Sequence, residues 1–391
     1  MDGLPACAVT CLLQVGNSSS CDPADSQCLC SDTTLSTALQ GCIYQACTIK
    51  DALTTKYLAE LGCGVQPHAS TDYYIVLSTI FLAIAFICVL LRWTSRVIVT
   101  HLGFDDLAIG LALCIAIAIG AIAYPTVVRD GGLGKDIWNV PFDDITRIVY
   151  LFAISTILYP PCIALIKISM LLLYLRLFPG YYIRIATITT LTLTTCWGLI
   201  YTFITIFQCK PRTYMWMKWD GEHEGTCLDQ HAILYSHAIT NIILDVVVIA
   251  LPLPTLLRLS LSIMKKLGIC LMFVIGLVVT VISILRLTTS LGFLTSPNPT
   301  REFIPVSIWS FLEIDLGIIC ACLPGIRALI KYLFRSSKPA EQHSPAASQT
   351  QIATCNISND TTPKSFRLSL SFSSRGRSRG REGDFVSLQD V

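Results

Sequence analysis

The sequence has little charge. Only 14% of its 391 residues are Asp, Glu, Lys or Arg, against roughly a quarter in soluble domains. So few charged side chains cannot cover the surface of a soluble protein of this length, which excludes that class for most of the chain. The net charge is +2, which gives no reason to expect a nucleic-acid partner.

The sequence also lacks short motifs that mark common catalytic sites. It has no GxxxxGK(S/T) phosphate loop and no HExxH zinc motif, so we expect no enzymatic activity. Its first residues lack the apolar run of a cleavable secretory leader. We therefore expect either that the natural start lies upstream or that the first membrane span carries the preceding residues outward.

In place of charge, the sequence has a series of long apolar runs. A helix needs about 20 apolar residues to cross a hydrocarbon core of about 30 Å, and each run is near or above this length. The pattern predicts an all-α membrane protein with a seven-transmembrane helix bundle over residues 67–334. The seven runs are 73–91, 105–127, 148–175, 185–207, 232–257, 267–292 and 303–330.

The basic residues of the loops predict the orientation of the bundle. The loops on the side of the carboxyl terminus include Arg92, Arg96 and Arg176, and they are shorter than the loops on the other side. Short basic loops usually lie in the cytoplasm. Because an odd number of spans separates the termini, we predict a plasma-membrane protein with its amino terminus outside the cell and its carboxyl terminus in the cytoplasm.

The cysteines are unevenly distributed, and eight of the 18 fall in the first 63 residues. A segment this short buries too little apolar surface to fold alone, so we expect disulfides formed in an oxidising space. Eight cysteines allow about a hundred connectivities, which leaves the pairing open. Zinc is the alternative, and the absence of His among these cysteines argues against it. The eight are Cys7, Cys11, Cys21, Cys28, Cys30, Cys42, Cys47 and Cys63.

This amino-terminal segment is predicted to be helical. Residues 33–40 and 50–61 have helical patterns, and Thr48 and Asp51 are suited to cap the second helix. Asn17 begins an Asn-Ser-Ser triplet, which makes it a candidate glycosylation site on the outer side of the membrane. We therefore expect short helices joined by disulfides, with a glycan acceptor between them.

The motif Pro5-x-Cys7-Ala8-x2-Cys11, the pair Cys28-x-Cys30 and the x15 spacing before Cys63 resemble a CFEM domain, common in fungal extracellular membrane proteins. The resemblance covers about residues 4–64, with all eight cysteines. It implies a small helical extracellular domain, which we place at residues 1–66.

Some CFEM domains bind haem through an aspartate, and the resemblance makes haem a possible cofactor here. Asp25 fits the axial iron ligand, with Asp22 as a neighbouring alternative. A hard carboxylate oxygen suits ferric iron. The alternative interpretation is that Asp25 only caps a turn within the disulfide-bonded domain.

Motifs in the apolar block also resemble a known family. They include Gly103-Phe104-Asp105-Asp106, Leu251-Pro252-Leu253-Pro254 and a pattern in the seventh run, 308–313 with 318–324. Together they are similar to the fungal rhodopsin-domain family, which includes Pth-type CFEM receptors and satratoxin-cluster-type membrane proteins. The resemblance implies a G-protein-coupled-receptor-like sensor with an unknown extracellular ligand and a heterotrimeric G protein as partner.

Two departures limit what this resemblance implies. The seventh run has no lysine before Lys331 at its end, so no retinal Schiff base is expected. The third run ends without the Asp-Arg-Tyr triplet of animal receptors, and Arg176 is the residue that could serve in its place. Coupling to a G protein is therefore inferred from the family and the topology.

The loop between the fourth and fifth runs contains Cys209 and Cys227. Because neighbouring outer segments contain no cysteine, a disulfide within this loop is expected, which would shape a lid over the bundle. Trp216 and Trp219 in the loop are either ligand contacts or interfacial anchors, the commoner role for Trp at this depth.

A few polar groups interrupt the apolar runs, and each should face the bundle interior and find a partner. Their depths predict two contacts, Arg286 with Glu313 and Lys167 with Asp245. These pairs either fix the register of the helices or form a ligand pocket or switch. We favour the first role for Lys167 and the second for Glu313. The intramembrane polar set is Lys167, Asn241, Asp245, Arg286, Glu313 and Asp315.

Residues 335–391 are rich in Ser, Thr, Pro, Gln and Arg and are predicted to form a disordered cytoplasmic tail. Its arginines and serines suit phosphorylation and contact with lipid, and an unregulated solvated tail is the alternative. For the whole chain, the leading hypothesis is a fungal cell-surface receptor for an extracellular or host-surface cue. The alternatives are a haem- or iron-binding surface protein for iron acquisition and a membrane protein of secondary metabolism.

Overall fold

The computed structural model of the chain describes residues 3–16, 26–66, 72–128, 132, 134–254, 263–296 and 298–336. The predictions for Asn17, Asp22, Asp25 and the tail beyond residue 336 lie outside the described residues, as does Cys21.

Short helices form the amino-terminal domain, here called the head. Asp32 caps the helix that begins at Thr33, α3 (Thr33–Ala46), because its carboxylate accepts hydrogen bonds from the backbone N–H groups of Thr34 and Leu35 at 2.9 and 3.1 Å. Thr48 caps α4 (Ile49–Gly62) in the same way. Both predicted helices are present, and α3 extends six residues beyond the predicted end. The helices are α1 (Ala6–Gly16), α2 (Ser26–Ser31), α3 (Thr33–Ala46) and α4 (Ile49–Gly62).

Disulfides hold these helices together. They join Cys7 to Cys47, Cys11 to Cys42 and Cys30 to Cys63, and Cys28 is also disulfide-bonded. Few apolar side chains of the head are buried, chiefly Ala8, Cys11, Leu35 and Ile43. The cross-links stabilise the domain where its small core cannot, since they restrict the unfolded chain.

Within the described residues, seven helices are long and apolar enough to cross a membrane, as predicted. We call them the first to seventh spans in chain order. They are α5 (Asp72–Val99), α6 (Phe104–Val128), α7 (Phe142–Leu177), α8 (Tyr181–Phe207), α10 (Gln230–Ala250), α11 (Ile263–Thr295) and α12 (Pro299–Ser336).

The seventh span lies at the centre of the bundle. It packs against the first, third and sixth spans, and half of its most apolar window is buried, compared with 17% in the first span. Its buried residues include Phe311, Ile314 and Ile318, which join side chains of the first and second spans in one hydrophobic core. Groups on this helix can therefore contact most of the other spans.

Several helix ends differ from the predicted runs, and two of them show the physical reason. The third span begins at Phe142, six residues before its apolar run, because Asp143 and Asp144 suit the positive end of the helix dipole. The fifth span ends at Ala250, before Pro252 and Pro254, which would interrupt a continuing helix. The length of an apolar run therefore does not predict either of these helix ends.

The loop between the fourth and fifth spans is a small hairpin with a helical insert. Strands β1 (Cys209–Lys210) and β2 (Thr226–Cys227) pair antiparallel, and the expected disulfide joins Cys209 to Cys227. Between them, α9 (Tyr214–Met217) and a short 3-10 turn (Lys218–Asp220) lie against the third span. This end of the bundle is called the head side, and the opposite end the tail side.

The head rests on two loops of the bundle. Trp138 donates its indole N–H to Glu60 on α4 at 2.6 Å, and Lys56 Nζ lies 4.3 Å from the centre of the same indole ring. Lys50 Nζ lies 2.7 Å from a carboxylate oxygen of Glu222 in the hairpin loop. Helix α4 therefore contacts both loops at once, an arrangement that no local sequence pattern predicts.

Candidate functional site

The head side of the bundle contains a cavity of about 230 Å³ between the spans. Its walls are mainly aromatic and aliphatic. Polar side chains lie both at its head-side end, Gln208 and Gln230, and deeper in the bundle, His237 and Arg286. Such an apolar pocket with a few convergent polar groups is the usual form of a small-molecule site. Lining residues include Tyr74, Ile119, Phe152, Tyr159, His237, Arg286, Phe293, Ser310 and Phe311.

Glu313 of the seventh span is the centre of a polar network beneath this cavity. One carboxylate oxygen accepts from Tyr159 Oη at 2.5 Å and lies 3.0 Å from Arg286 Nε. The other accepts from Ser283 Oγ at 2.7 Å and Asn241 Nδ2 at 2.8 Å. The predicted Arg286–Glu313 contact is present, and four spans meet at one carboxylate that is only 1% exposed.

The second predicted pair joins the same network. Lys167 Nζ forms a short salt bridge with Asp245 and lies 3.4 Å from the backbone oxygen of Asn241. Asp245 is also 3.4 Å from both Asn241 Nδ2 and Ser283 Oγ, which connect it to Glu313. Buried charges are costly unless they are paired, and here two cations and two anions share the bundle interior.

Asp315 departs from the expectation that every intramembrane polar group finds a partner. It is fully buried, yet neither carboxylate oxygen has a hydrogen-bond partner among the described residues. It lies two positions after Glu313, so it points away from the network, toward Leu77, Ser78 and Phe81 of the first span. The prediction was wrong here because depth along a helix does not specify the face.

His237 is a cavity residue that the sequence analysis missed. Its ring centre lies 5.0 Å from those of Trp197 and Tyr201 and 5.8 Å from that of Tyr159. Its Nε2 atom is buried without a hydrogen-bond partner within the described part of the chain. The available signal was its position four residues before Asn241, which places both side chains on one helix face.

A second ionic cluster lies on the tail side, and the sequence analysis did not bring its members together. Arg92 contacts Asp105 and Asp106, each at 2.8 Å, and Arg96 lies 3.1 Å from Asp105 and 3.5 Å from Asp106. All four residues are buried. The two arginines precede the two aspartates by only about ten residues, across the turn between the first and second spans. This short separation could have predicted the contact.

This tail-side cluster also reaches the third and seventh spans. Arg92 Nη1 donates to the backbone oxygen of Ala321 at 2.7 Å, and Ser169 Oγ donates to that of Asp105 at 2.7 Å. Arg176 lies 3.8 Å from Asp105 and donates to the backbone oxygen of His101 at 3.1 Å. Four spans are thus tied together at this end of the bundle.

Trp216 and Trp219, the two loop tryptophans, lie outside the cavity lining. Trp216 stacks edge-on with Tyr150 at 5.0 Å between ring centres, and Trp219 donates to Thr146 Oγ1 at 3.0 Å. Both partners are on the third span. The tryptophans therefore anchor the hairpin loop to that helix.

Charges between the head and the hairpin loop are mutually stabilising. The hydrogen bond to Glu222 raises the pKa of Lys50. Burial alone would raise the pKa of Asp220, but bonds from His223 and the backbone N–H of Glu222 outweigh it, so this pKa lies below its usual value. Both shifts favour the charged forms across the contact.

Among the described residues, no group of three or more His, Cys, Asp or Glu side chains is arranged to hold a metal ion. The candidate haem ligands, Asp25 and Asp22, lie outside the described residues. Haem binding by the head therefore stays a prediction.

Comparison with known proteins gives two family matches. The fungal rhodopsin domain matches residues 91–332, and the CFEM domain matches residues 1–64. The chain is 31% identical over 212 residues to a SAT4 family membrane protein of Emericella nidulans, covering 53% of this chain and 52% of that protein. The chain thus spans about half the length of that relative. No solved structure gives a significant match.

Two further relatives differ in what their names describe. Receptor GIN3 of Arthrobotrys oligospora is 24% identical over 309 residues, which cover 77% of this chain and 74% of that protein. Satratoxin biosynthesis SC1 cluster protein 4 of Stachybotrys chartarum is 26% identical over 229 residues, covering 57% and 81%. One name describes a receptor and the other a satratoxin biosynthesis cluster.

Proposed function

We propose a receptor function for this chain, which belongs to the fungal rhodopsin domain family and carries a CFEM domain. In this proposal it is a plasma-membrane protein whose head lies outside the cell and whose tail side faces the cytoplasm. It detects an extracellular small molecule and acts on a heterotrimeric G protein. The disulfide-bonded head and the basic loops on the tail side support this orientation.

The observation that carries the proposal is the position of Glu313 beneath the cavity. Arg286 and Tyr159 line the cavity, and both contact this carboxylate. A ligand that contacts Arg286 changes the balance of bonds at a residue shared by four spans. Such a ligand shifts the population between two helix arrangements to the extent that it binds one of them better.

The seventh span offers a direct route from the cavity to the tail side. Ala321 follows Glu313 by eight residues on the same helix, which is about 12 Å along its axis. Its backbone oxygen accepts from Arg92 of the tail-side cluster. A rotation or shift of this helix at Glu313 would therefore alter the cluster that closes the opposite end.

A nucleotide-sensitive interaction with a Gα subunit tests the proposal. The full chain would be solubilised from fungal membranes and purified, and co-purifying Gα would be quantified with and without a non-hydrolysable GTP analogue. We expect Gα to bind without nucleotide and to be released by the analogue. Absence of Gα under both conditions, from membranes that contain it, would overturn the proposed coupling.

A role in secondary metabolism is a second candidate, favoured by the relative named for a biosynthetic cluster. In that case, deletion of the gene would change the products of a neighbouring cluster without changing second-messenger levels. The receptor function predicts that second-messenger levels change first. Measuring both in one deletion strain separates the two functions.

Haem capture by the head is proposed only from the CFEM domain. Ferric haem added to the purified full chain is expected to give a shifted Soret band that is lost in Asp25→Ala. An unshifted band in the unmodified chain would remove haem from the proposal and leave the receptor function standing.

A further inference from the structure

We infer that the cavity takes an uncharged, largely apolar small molecule that presents one hydrogen-bond-accepting oxygen to Arg286. The inference deepens the proposed receptor function, and it rests on that function for the role of the cavity as a ligand site. Three observations support it, namely the cavity walls, an unsatisfied donor and the charge balance of the network.

The walls specify an apolar body for the ligand. Phe152 and Phe293 line one part of the cavity, with ring centres 5.7 Å apart, and Ile119 and Phe311 line another. Burial of the apolar surface of a ligand against such walls favours binding. A volume of about 230 Å³ suits a small molecule rather than a peptide.

The unsatisfied donor specifies an oxygen acceptor. Arg286 is 5% exposed and lines the cavity, and its Nη2 atom has no hydrogen-bond partner among the residues that the structure describes. A guanidinium group has only donors, so a ligand that satisfies this atom must offer an acceptor. A buried donor without a partner is costly, and an oxygen placed here removes that cost.

The charge balance specifies that this oxygen carries no net charge. Arg286 and Lys167 are already balanced by Glu313 and Asp245 within the network. A carboxylate on the ligand would add an unpaired negative charge to the bundle interior, which is unfavourable. A ketone, ester, aldehyde or hydroxyl oxygen satisfies Arg286 without that cost. His237 Nε2, also unpartnered in the described chain, can donate to this oxygen or accept from a hydroxyl.

The test is photolabelling of the full chain in lipid nanodiscs. The probe is an alkyl methyl ketone that carries a diazirine in its chain, and labelled peptides are mapped by mass spectrometry. The competitors have equal numbers of carbons: octyl methyl ketone, decanoate and decane. We expect the ketone to compete roughly tenfold better than decane, because it supplies the missing acceptor, and better than decanoate.

Variants locate the site. Ser310→Phe fills the cavity and is expected to abolish the labelling, whereas Ser236→Phe, at an exposed position of the fifth span, is its matched control. Arg286→Lys retains the charge but moves the donors, so the preference for ketone over decane should disappear. If Ser310→Phe does not fold, Thr156→Phe, at a lining position of the third span, replaces it.

The experiments distinguish a failure of this ligand inference from a failure of the proposed G-protein coupling. Equal labelling of Ser310→Phe and Ser236→Phe would overturn the cavity as the site, and stronger competition by decanoate would overturn the uncharged ligand. Specific labelling without Gα association would support this inference and count against G-protein coupling. Gα association without specific labelling would support G-protein coupling and count against this inference.

Discussion

At the scale of single residues, the most informative side chain is Glu313, because its two oxygens contact donor groups from three other spans. A carboxylate with this many partners is well compensated for its burial. The same environment makes removal of its charge costly, since Arg286 would then lack a counterion in the bundle interior.

Glu313→Gln is therefore expected to destabilise the bundle by about 3 kcal/mol, the usual scale for breaking a buried ion pair. The measurement is the thermal unfolding midpoint of the purified chain. Asp315→Asn is the matched control, since Asp315 has no hydrogen-bond partner among the described residues to lose. Equal shifts of the unfolding midpoint in the two variants would show that the bonds of Glu313 do not stabilise the bundle. Unchanged signalling in surface-expressed Glu313→Gln would count against its role as a switch.

At the scale of helices, small residues set how closely the spans approach. Gly198 of the fourth span faces Ala164 of the third, and an added Cβ would lie 2.5 Å from the Ala164 methyl group. Two rigid groups cannot share that space, so the backbones must separate. Close approach through small residues is a common way for helices to associate in membranes.

Gly198→Ala is expected to cost about 2 kcal/mol of stability through overpacking. Gly292→Ala is its control, because an added Cβ there meets nothing within 4 Å and alanine favours helix by up to about 1 kcal/mol. The measurement is the thermal unfolding midpoint of both purified variants, which should fall only in Gly198→Ala. An unchanged unfolding midpoint in Gly198→Ala would mean that the third and fourth spans can separate at little cost.

The tail-side cluster ties together the first, second, third and seventh spans, and Arg92 supplies its contacts to the second and the seventh. Arg92→Gln leaves Asp105 and Asp106 with weaker compensation, so we expect a loss of about 3 kcal/mol of stability. Under the proposed G-protein coupling, the loosened cluster should also raise basal nucleotide exchange on Gα. Arg176→Gln removes a contact at 3.8 Å from a side chain that is 27% exposed, and should cost less than about 1 kcal/mol. Nucleotide exchange on Gα and thermal unfolding measure the two effects. A larger effect at Arg176 would contradict this ranking.

At the scale of the whole molecule, the head and the bundle are joined through α4. The contacts of Lys50, Lys56 and Glu60 with two loops place the disulfide-bonded domain over the head side, where the cavity also lies. The position of the head is thus coupled electrostatically to the loop that connects the fourth and fifth spans.

The attachment of the head is expected to depend on pH at both extremes. The pKa of Lys50 is raised, so its contribution is complete below the ordinary lysine pKa of about 10.4 and is lost as the pH rises through its higher folded value. The pKa of Asp220 is lowered, so its contribution is present above pH about 3.9 and is lost as the pH falls through its lower folded value. Protection factors of residues 49–62, which correct hydrogen exchange for the pH dependence of the intrinsic rate, should therefore be high between these limits and lower outside them. In Lys50→Met the change at high pH should be absent.

The predicted topology has its own test. Epitope tags at the two ends should be accessible from opposite sides of the membrane in intact cells, because seven spans separate them. The head cysteines should resist alkylation until a reductant is added. Both tags on one side, or freely reactive head thiols, would contradict the proposed orientation.

The sequence by itself determined which elements exist. Run length predicted the spans, local patterns predicted α3 and α4, and cysteine placement predicted the Cys209–Cys227 disulfide, because these depend on near neighbours or on total apolar length. The motifs also indicated the two family resemblances that the comparisons confirm. Depth along each span was enough to predict both intramembrane ion pairs.

Only the tertiary structure decided which faces meet. It joined Arg92 to Asp105 and to a backbone oxygen of the seventh span, enclosed His237 in aromatic rings and left Asp315 without a partner among the described residues. It also placed α4 on Trp138. The physical reason is that length and depth specify position along a helix axis, whereas contacts depend on its rotation and tilt, which the packing of all seven spans sets together.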